Sequence, residues 1–414
     1  MIAVVGAAAL LWLTRPRDEG GAYDDYFRAL NQTLRATGPA RPSLILDLDR
    51  LDHNIEVLTR SIRPPKHYRV VDKSLPSIPL IQYLFEHTHT DRIMSFNQPF
   101  LNEVAKALPR ADVLLGKPMP VRAAEEFYRR LEGDFDPARQ LQWLIDTPER
   151  LEEYRRLGDT VGRRMRISIE IDVGLHRGGV GDVATLERIL AGIAAHPERF
   201  ELGGFMGYDP HVVKVPSWLR SRDALFHEAL TTYQGYVDYT RAHYPQLWNE
   251  RITLNGAGSP TYRLYEHVEL LNDLSVGSAM VKPTDFDIDT LAEHVPALFI
   301  ATPVLKTAPG ARLPGSDGLS RLVEWWDPNR ARTFFMYGGY WMAHLVSPPG
   351  LRTNPLFGRS SNQEMVNGSA AVPIGVDDYV FLRPTQSEFV MLQFGDLVVM
   401  RGGKIVDHWP VFRE

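Results

Sequence analysis

Between residues 68 and 275 the chain alternates short apolar runs with stretches of helical spacing. The apolar segments 68–72, 91–95, 112–115, 141–146, 166–173, 201–206, 251–254 and 269–275 read as eight strands. Helical patterns at 98–107, 120–131, 147–157 and 182–195 fill most of the gaps. Thr147-Pro148-Glu149 marks one helix start: a capping hydroxyl, a proline at the first helical position and an acid near the positive end of the dipole. Eight strand–helix units joined by right-handed crossovers predict an α/β chain built on a (β/α)8 barrel of the TIM type.

Beyond residue 290 the texture changes. Residues 295–304, 333–337, 378–382, 389–392 and 397–400 read as strands, and Arg401-Gly402-Gly403-Lys404 as a hairpin turn. Ser347 to Gly368, rich in Pro, Gly, Asn and Ser, reads as a long loop. The expected division is 1–40 for an N-terminal segment with a short helix over 23–38, 41–290 for the barrel, and 291–414 for a mostly β domain. At 414 residues and 44% hydrophobic, the chain can fill both domains.

A net charge of −5 without long single-sign runs gives no field for nucleic acid. The chain has no cysteine, which excludes disulfides, a thiolate nucleophile and Cys-ligated metal. Ile2 to Leu13 is a continuous apolar run ahead of Thr14-Arg15-Pro16-Arg17. As a helix it spans only about 18 Å, short of a hydrocarbon core. It has no place in the barrel pattern, so a signal or membrane-anchor segment is expected, with membrane-anchored or exported location. The alternative is a terminal helix packed on the protein or a partner.

The candidate chemistry starts at Lys73, which closes Tyr68-Arg69-Val70-Val71-Asp72-Lys73 ahead of a Ser-Leu-Pro turn. A lysine at the C-terminal end of a barrel strand points into the site that the following loops build. Four further segments follow in order: Asp172 to Gly179 with Arg177, Gly204-Phe205-Met206-Gly207-Tyr208, Asn255-Gly256-Ala257-Gly258-Ser259, and Val276-Gly277-Ser278. A Schiff-base amine, an arginine, an aromatic and two glycine-serine turns make a site for pyridoxal 5'-phosphate. Gly256 to Ser259 is read as following its strand and opening a helix at Tyr262, a dipole-assisted anion site that Gly277-Ser278 completes. His211 is a candidate proton carrier. His87-Thr88-His89 lacks a third metal ligand, and Asp285-Phe286-Asp287-Ile288-Asp289 lacks the glycine and terminal glutamate of a calcium loop.

In that order the motifs, from Arg41 to Val411, resemble the alanine-racemase-fold (fold type III) pyridoxal-phosphate enzymes, and within them the D-threonine aldolase and D-serine dehydratase group. The resemblance implies a homodimer acting on a small amino acid, with strand 43–48 joined to the β domain. It implies Lys73 as the cofactor lysine, Arg177 on the ring-oxygen side of the cofactor and Tyr208 along or beneath its ring. In part of the group the lysine lies in an Arg-Pro-His-x-Lys-Thr-His-Lys setting; here Arg69 and Lys73 match and Ser74 replaces the threonine. The group's metal pair, His-x-Cys or His-x-Asp, corresponds to Gln386 and Glu388, and its upstream Glu-His to Glu364-Met365. A divalent metal is thus in doubt, with Glu388 left as a candidate oxygen ligand or as a general acid or base. The expected function is a lyase for a D- or β-hydroxy amino acid, of dehydratase or aldolase type. The alternatives are a racemase, with Tyr337 or Tyr340 opposing Lys73, and a non-catalytic protein that binds the cofactor.

Overall fold

The computed structural model describes residues 14–310 and 325–413, so the apolar run Ile2–Leu13 lies outside the described residues. Among the described residues no helix is long and apolar enough to cross a membrane. The chain forms two compact units. One comprises Asp52–Lys282, Phe286–Val295 and Pro410–Glu414; the other comprises Met1–Leu51, Pro283–Asp285 and Pro296–Trp409. Residues 43–48 thus fall in the second unit, as the resemblance implies.

The first strand, β1 (Ser43–Asp47), belongs to the second unit. The first unit holds β2 (His67–Val71), β3 (Arg92–Ser95), β4 (Asp112–Leu115), β5 (Leu141–Ile145), β6 (Met165–Ile171), β7 (Phe200–Gly207), β8 (Thr253–Gly256) and β9 (Asp273–Val276). They pair in parallel in that order, and β9 returns to β2 to close the barrel. The expected helix starts form: Thr147 accepts from the Arg150 amide, and Asp182 caps the helix Val183–Ala195 by accepting from Thr185. That helix turns Leu186, Ile189, Leu190 and Ile193 inward, at the i, i+3, i+4, i+7 spacing of a one-faced helix.

Two strand boundaries differ from the sequence pattern. β9 begins at Asp273 rather than 269, because the Asn272 side chain takes over part of the pairing. Its oxygen accepts from the Leu254 amide at 2.9 Å and its nitrogen donates to the Ile252 carbonyl at 3.0 Å. β8 runs on to Gly256, so Asn255 and Gly256 are strand, not turn.

The interior near the N-terminal ends of the strands is ionic. Arg69, fully buried, makes five hydrogen bonds: two to Asp273, one to the Asp112 carboxylate and two to the carbonyls of Ile93 and Asp112. Arg92 and Asn255 also donate to Asp273, at 2.9 and 2.5 Å. Burial pushes the Asp273 carboxyl up, and the Arg69 charge more than reverses it, leaving it below the ordinary carboxylate range.

The second unit is mostly β. Its sheet adds β10 (Leu298–Pro309), β11 (Arg332–Tyr337), β12 (Ala343–Ser347), β13 (Arg352–Thr353), β14 (Gln363–Gly368), β15 (Tyr379–Pro384), β16 (Leu397–Arg401) and β17 (Lys404–Trp409). β1 pairs antiparallel with β10 and parallel with β16, so both ends of the chain build this sheet. Gly402 and Gly403, at φ 56° and 71°, form the two-residue hairpin turn that only positive φ permits there.

Two expectations fail in this unit. Residues 389–392 are not a strand; Glu388–Met391 is one helical turn, closed by the Met391 amide on the Ser387 carbonyl. A four-residue apolar run does not distinguish a strand from a buried helical turn. Ser347 to Gly368 is not one long loop, since it contains β13 and β14. Its polar residues serve as cross-strand partners: Asn367 donates to Thr333 at 2.8 Å and accepts from Asn354 at 2.8 Å.

Candidate functional site

The C-terminal ends of the barrel strands gather most of the sequence-predicted residues. Lys73 lies in the turn after β2, with its Nζ 4.8 Å from the centroid of the Phe96 ring at the end of β3. The turn that carries Lys73 is held against the last strand's loop. Ser278 donates to the Ser74 hydroxyl at 3.2 Å, and a Cβ on Gly277 would sit 2.8 Å from the side chains of Val71 and Ser74. Only glycine allows that approach.

Ser259 joins the same cluster. Its Oγ accepts from the amides of Gly277 at 3.2 Å and Ala279 at 3.0 Å. A hydroxyl that accepts twice still has its own proton to donate. The residues after Ser259 form a 3-10 turn, Tyr262–Tyr265, and not an α-helix. The expected helix dipole is therefore missing, and any anion here is held by hydroxyls and loop amides instead. Ala257 sits at φ 62°.

The third group is aromatic. The Arg177 guanidinium lies 5.1 Å from the centroid of the Tyr208 ring. A Cβ on Gly258 would come within 2.6 Å of that ring, so the glycine turn packs on Tyr208. The Arg177 loop is shaped by Asp172, which accepts from the Gly174 amide at 3.0 Å, the His176 amide at 2.9 Å and His176 Nδ1 at 2.8 Å. His211 lies behind that loop: its Nε2 is 3.1 Å from where a Gly174 Cβ would be, and its buried Nδ1 is unpartnered. Burial lowers its pKa.

Asn255 does not join this cluster. Its side-chain amide donates to Asp273 and Ser275 in the interior network. Arg69, matched with Lys73 in the sequence, likewise serves that network. The remaining candidates lie in the β unit. The Tyr340 amide donates to Glu364 at 2.7 Å, and its ring lies 5.1 Å from the Arg359 guanidinium, which pairs with the same Glu364. Gln386 donates to Asp285 at 3.0 Å. Glu388 opens the one-turn helix, and Tyr337 ends β11. Among the described residues no group of three or more His, Asp or Glu side chains could hold a metal ion.

Three carboxyls escaped the sequence reading. Asp72, fully buried beside Lys73, is pushed up to about 7 by burial, against the pull of the Ser95 hydroxyl and the Lys73 amide and charge. Glu170, on β6, is pushed up to about 7 by burial and by Asp146, with Arg177 opposing. The signal for Glu170 was present. Arg166, Ser168, Glu170 and Asp172 alternate with isoleucines, a polar face turned into a barrel interior. Asp209, the third, is fully buried, and burial raises its pKa.

These residues fit the cofactor that the resemblance implies. The amine of Lys73, the hydroxyls of Ser74, Ser259 and Ser278 around a turn closed to any Cβ, and a guanidinium over an aromatic face answer to an aldehyde, a phosphate and a planar ring.

Comparison with known proteins gives the same direction. The sequence profile of the alanine racemase N-terminal domain matches residues 46–284. No curated protein matches the chain in sequence. Among solved structures, D-threonine aldolase from Filomicrobium marinum superposes at TM-score 0.68 and 18% identity, over 90% of this chain and 95% of that one. D-threo-3-hydroxyaspartate dehydratase from Delftia sp. HT23 does so at 0.67 and 17%, over 92% and 99%. Alanine racemase from Bacillus anthracis follows at 0.66 and 17%, over 89% and 97%. At such identities the likeness is one of fold.

Proposed function

Because the chain belongs to the alanine racemase N-terminal domain family, a family of pyridoxal-phosphate enzymes, we propose that it is a pyridoxal-phosphate lyase acting on a D- or β-hydroxy amino acid. The observation that supports this reading is a chain of contacts between three loops: Ser74, next to Lys73, meets Ser278, and Ser259 accepts from the Gly277 and Ala279 amides. When bound, the cofactor supplies an electron sink for the pair left on the substrate α-carbon.

The chain's own residues do the rest. Lys73, in the turn after β2, would hold the cofactor through its aldehyde, and its amine would carry a proton to or from the substrate α-carbon. Ser259, accepting two amides, donates its proton to the phosphate. Arg177 holds negative charge on the ring-oxygen side, because a guanidinium stays charged and donates in a plane. Tyr208 presents an aromatic face to the ring. For the β-hydroxyl we propose Glu388 as the proton donor or acceptor, the carboxylate that stands where relatives carry a metal ligand.

A racemase is the second reading, favoured by Tyr340. Its backbone is held at φ 57° on the buried Glu364, and its ring is 66% exposed. One experiment separates the two: incubate the purified protein with D- and L-serine, threonine and alanine and identify products. Oxo-acid with ammonia, or aldehyde with glycine, supports the lyase; an inverted enantiomer supports the racemase. Borohydride reduction followed by peptide mapping must place the pyridoxyl label on Lys73. A label on another lysine, or no uptake of cofactor, overturns the reading.

A further inference from the structure

Asp209 is a carboxylate buried to zero exposure directly after Tyr208, and no cation pairs with it within salt-bridge distance among the described residues. It accepts two hydroxyl hydrogen bonds, from Thr261 at 2.6 Å and from Tyr265 at 2.7 Å. The two arms differ in where they lead. Thr261 gives its only proton to Asp209, so its oxygen is committed as an acceptor on the other side, where it takes the Gly258 amide at 3.2 Å. Thr261 and Tyr262 then close the turn with their amides on the Gly258 carbonyl, both at 3.0 Å. The arm through Tyr265 ends at its ring, which meets Phe226 edge-on at 4.9 Å.

The loop after β7 is thereby tied to the loop after β8 at two points. Gly258 packs on the Tyr208 ring, and Asp209, the next residue, fixes the orientation of the Gly258 amide through one hydroxyl relay. A carboxylate suits this place because, when ionised, it is acceptor-only. It forces Thr261 to donate toward it and so sets the direction of the whole relay, which a neutral acceptor and donor would leave free to reverse.

We propose that Asp209, acting through Thr261, is a positioning residue that holds the Ala257-Gly258-Ser259 turn and the Tyr208 ring in register for the phosphate and ring of the cofactor, an inference that rests on the proposed pyridoxal-phosphate site. Asp209 itself touches neither cofactor nor substrate. It acts on the geometry of groups that do.

The test is titration of the full-length apoprotein with pyridoxal phosphate, read by the near-visible band and by borohydride-trapped label, with thermal stability measured alongside. Thr261→Val removes the relay and keeps the shape; affinity is expected to fall by about tenfold to a hundredfold. Thr261→Ser keeps the hydroxyl and is expected to restore wild-type affinity. Tyr265→Phe removes an equal hydrogen bond from Asp209 on the arm that leads away from the turn, and affinity is expected to stay near wild type. Asp209→Ala should resemble Thr261→Val; if it does not fold, the Thr261 pair still decides. Wild-type affinity in Thr261→Val overturns the inference, as does an equal loss in Tyr265→Phe, which would make Asp209 a packing group. If the wild-type protein takes up no pyridoxal phosphate, the proposed function fails and this inference falls with it.

Discussion

The two ends of the barrel interior use charge in opposite ways. Near the N-terminal ends of the strands, Asp273 is fully buried yet meets Arg69, Arg92 and Asn255, and its carboxyl is held below the ordinary range. Near the C-terminal ends, Asp72 and Glu170 are also withdrawn from water, but the cations beside them do not offset burial, and both are pushed up to about 7. The same residue types on neighbouring strands thus give a closed ionic plug at one end and poised acids at the other. Under-compensated carboxyls at the C-terminal ends of the strands fit the proposed site, while the matched network holds the other end of the barrel shut.

The contrast breaks most decisively through a pair of substitutions. Arg69→Met leaves the buried Asp273 and the half-buried Asp112 without the guanidinium and is expected to cost about 3 to 5 kcal/mol of stability in denaturant unfolding. Lys73→Ala is expected to keep stability within about 1 kcal/mol of wild type while turnover drops on the order of a thousandfold or more. If Arg69→Met unfolds normally and only loses turnover, the two ends are not divided as described.

The extent to which this was legible in sequence follows the same division. The barrel could be read because each strand is a short apolar run flanked by turn and helix signals, and Thr147-Pro148 and Asp182 start their helices as their side chains dictate. Lys73, Arg177, Tyr208, Ser259, Gly277 and Ser278 could be singled out because each falls in a recognisable motif after a strand pattern. Asn255 could not be placed, because one residue of register decides whether it points to the loop or into the interior, and β8 is longer than its apolar run. Asp209 gave no motif, and Glu170 only the alternation of a polar strand face. Their meaning lies in partners such as Thr261 and Asp146, which are far away in sequence.

Next in size is Arg177→Ala. The side chain is exposed and stands over Tyr208, so its loss should change stability by no more than about 0.5 kcal/mol. Cofactor affinity should fall by about tenfold to a hundredfold, since a charge-assisted hydrogen bond goes with it. Unchanged affinity and turnover would return Arg177 to the solvated surface.

The stability–pH profile sharpens the contrast at smaller scale. The folded-state pKa of Glu170, about 7, exceeds the ordinary glutamate value of 4.5, so between those values the folded protein holds a proton that the unfolded chain has lost. Stability from this group is full below about pH 4.5 and declines as pH rises through 7. Asp273 has the opposite sign: its depressed pKa contributes stability above the ordinary carboxylate range, and that is lost as pH falls. Glu170→Gln should therefore remove a decline of about 3 kcal/mol between pH 4.5 and 7 and leave the acid limb in place. Loss of the acid limb instead would show that Glu170, and not the Arg69 network, carries it.

The smallest expected effect concerns metal. The sequence resemblance sets Gln386 and Glu388 against the group's metal pair of imidazole and thiolate or aspartate, and Met365 against a further histidine. Glu364, the remaining acid of that element, is already committed: it pairs with Arg359 and accepts the Tyr340 amide. Gln386 spends its amide on Asp285. Pulling Glu364 onto a cation would strip Arg359 of its partner, and a lone carboxylate without nitrogen or sulfur ligands holds zinc weakly. Exhaustive chelation is therefore expected to change turnover by less than about twofold, whereas Glu388→Gln lowers it if Glu388 moves the proton at the β-hydroxyl. Turnover abolished by chelation and restored by zinc or manganese would reverse this assignment and identify the β unit as a metal site built from other ligands.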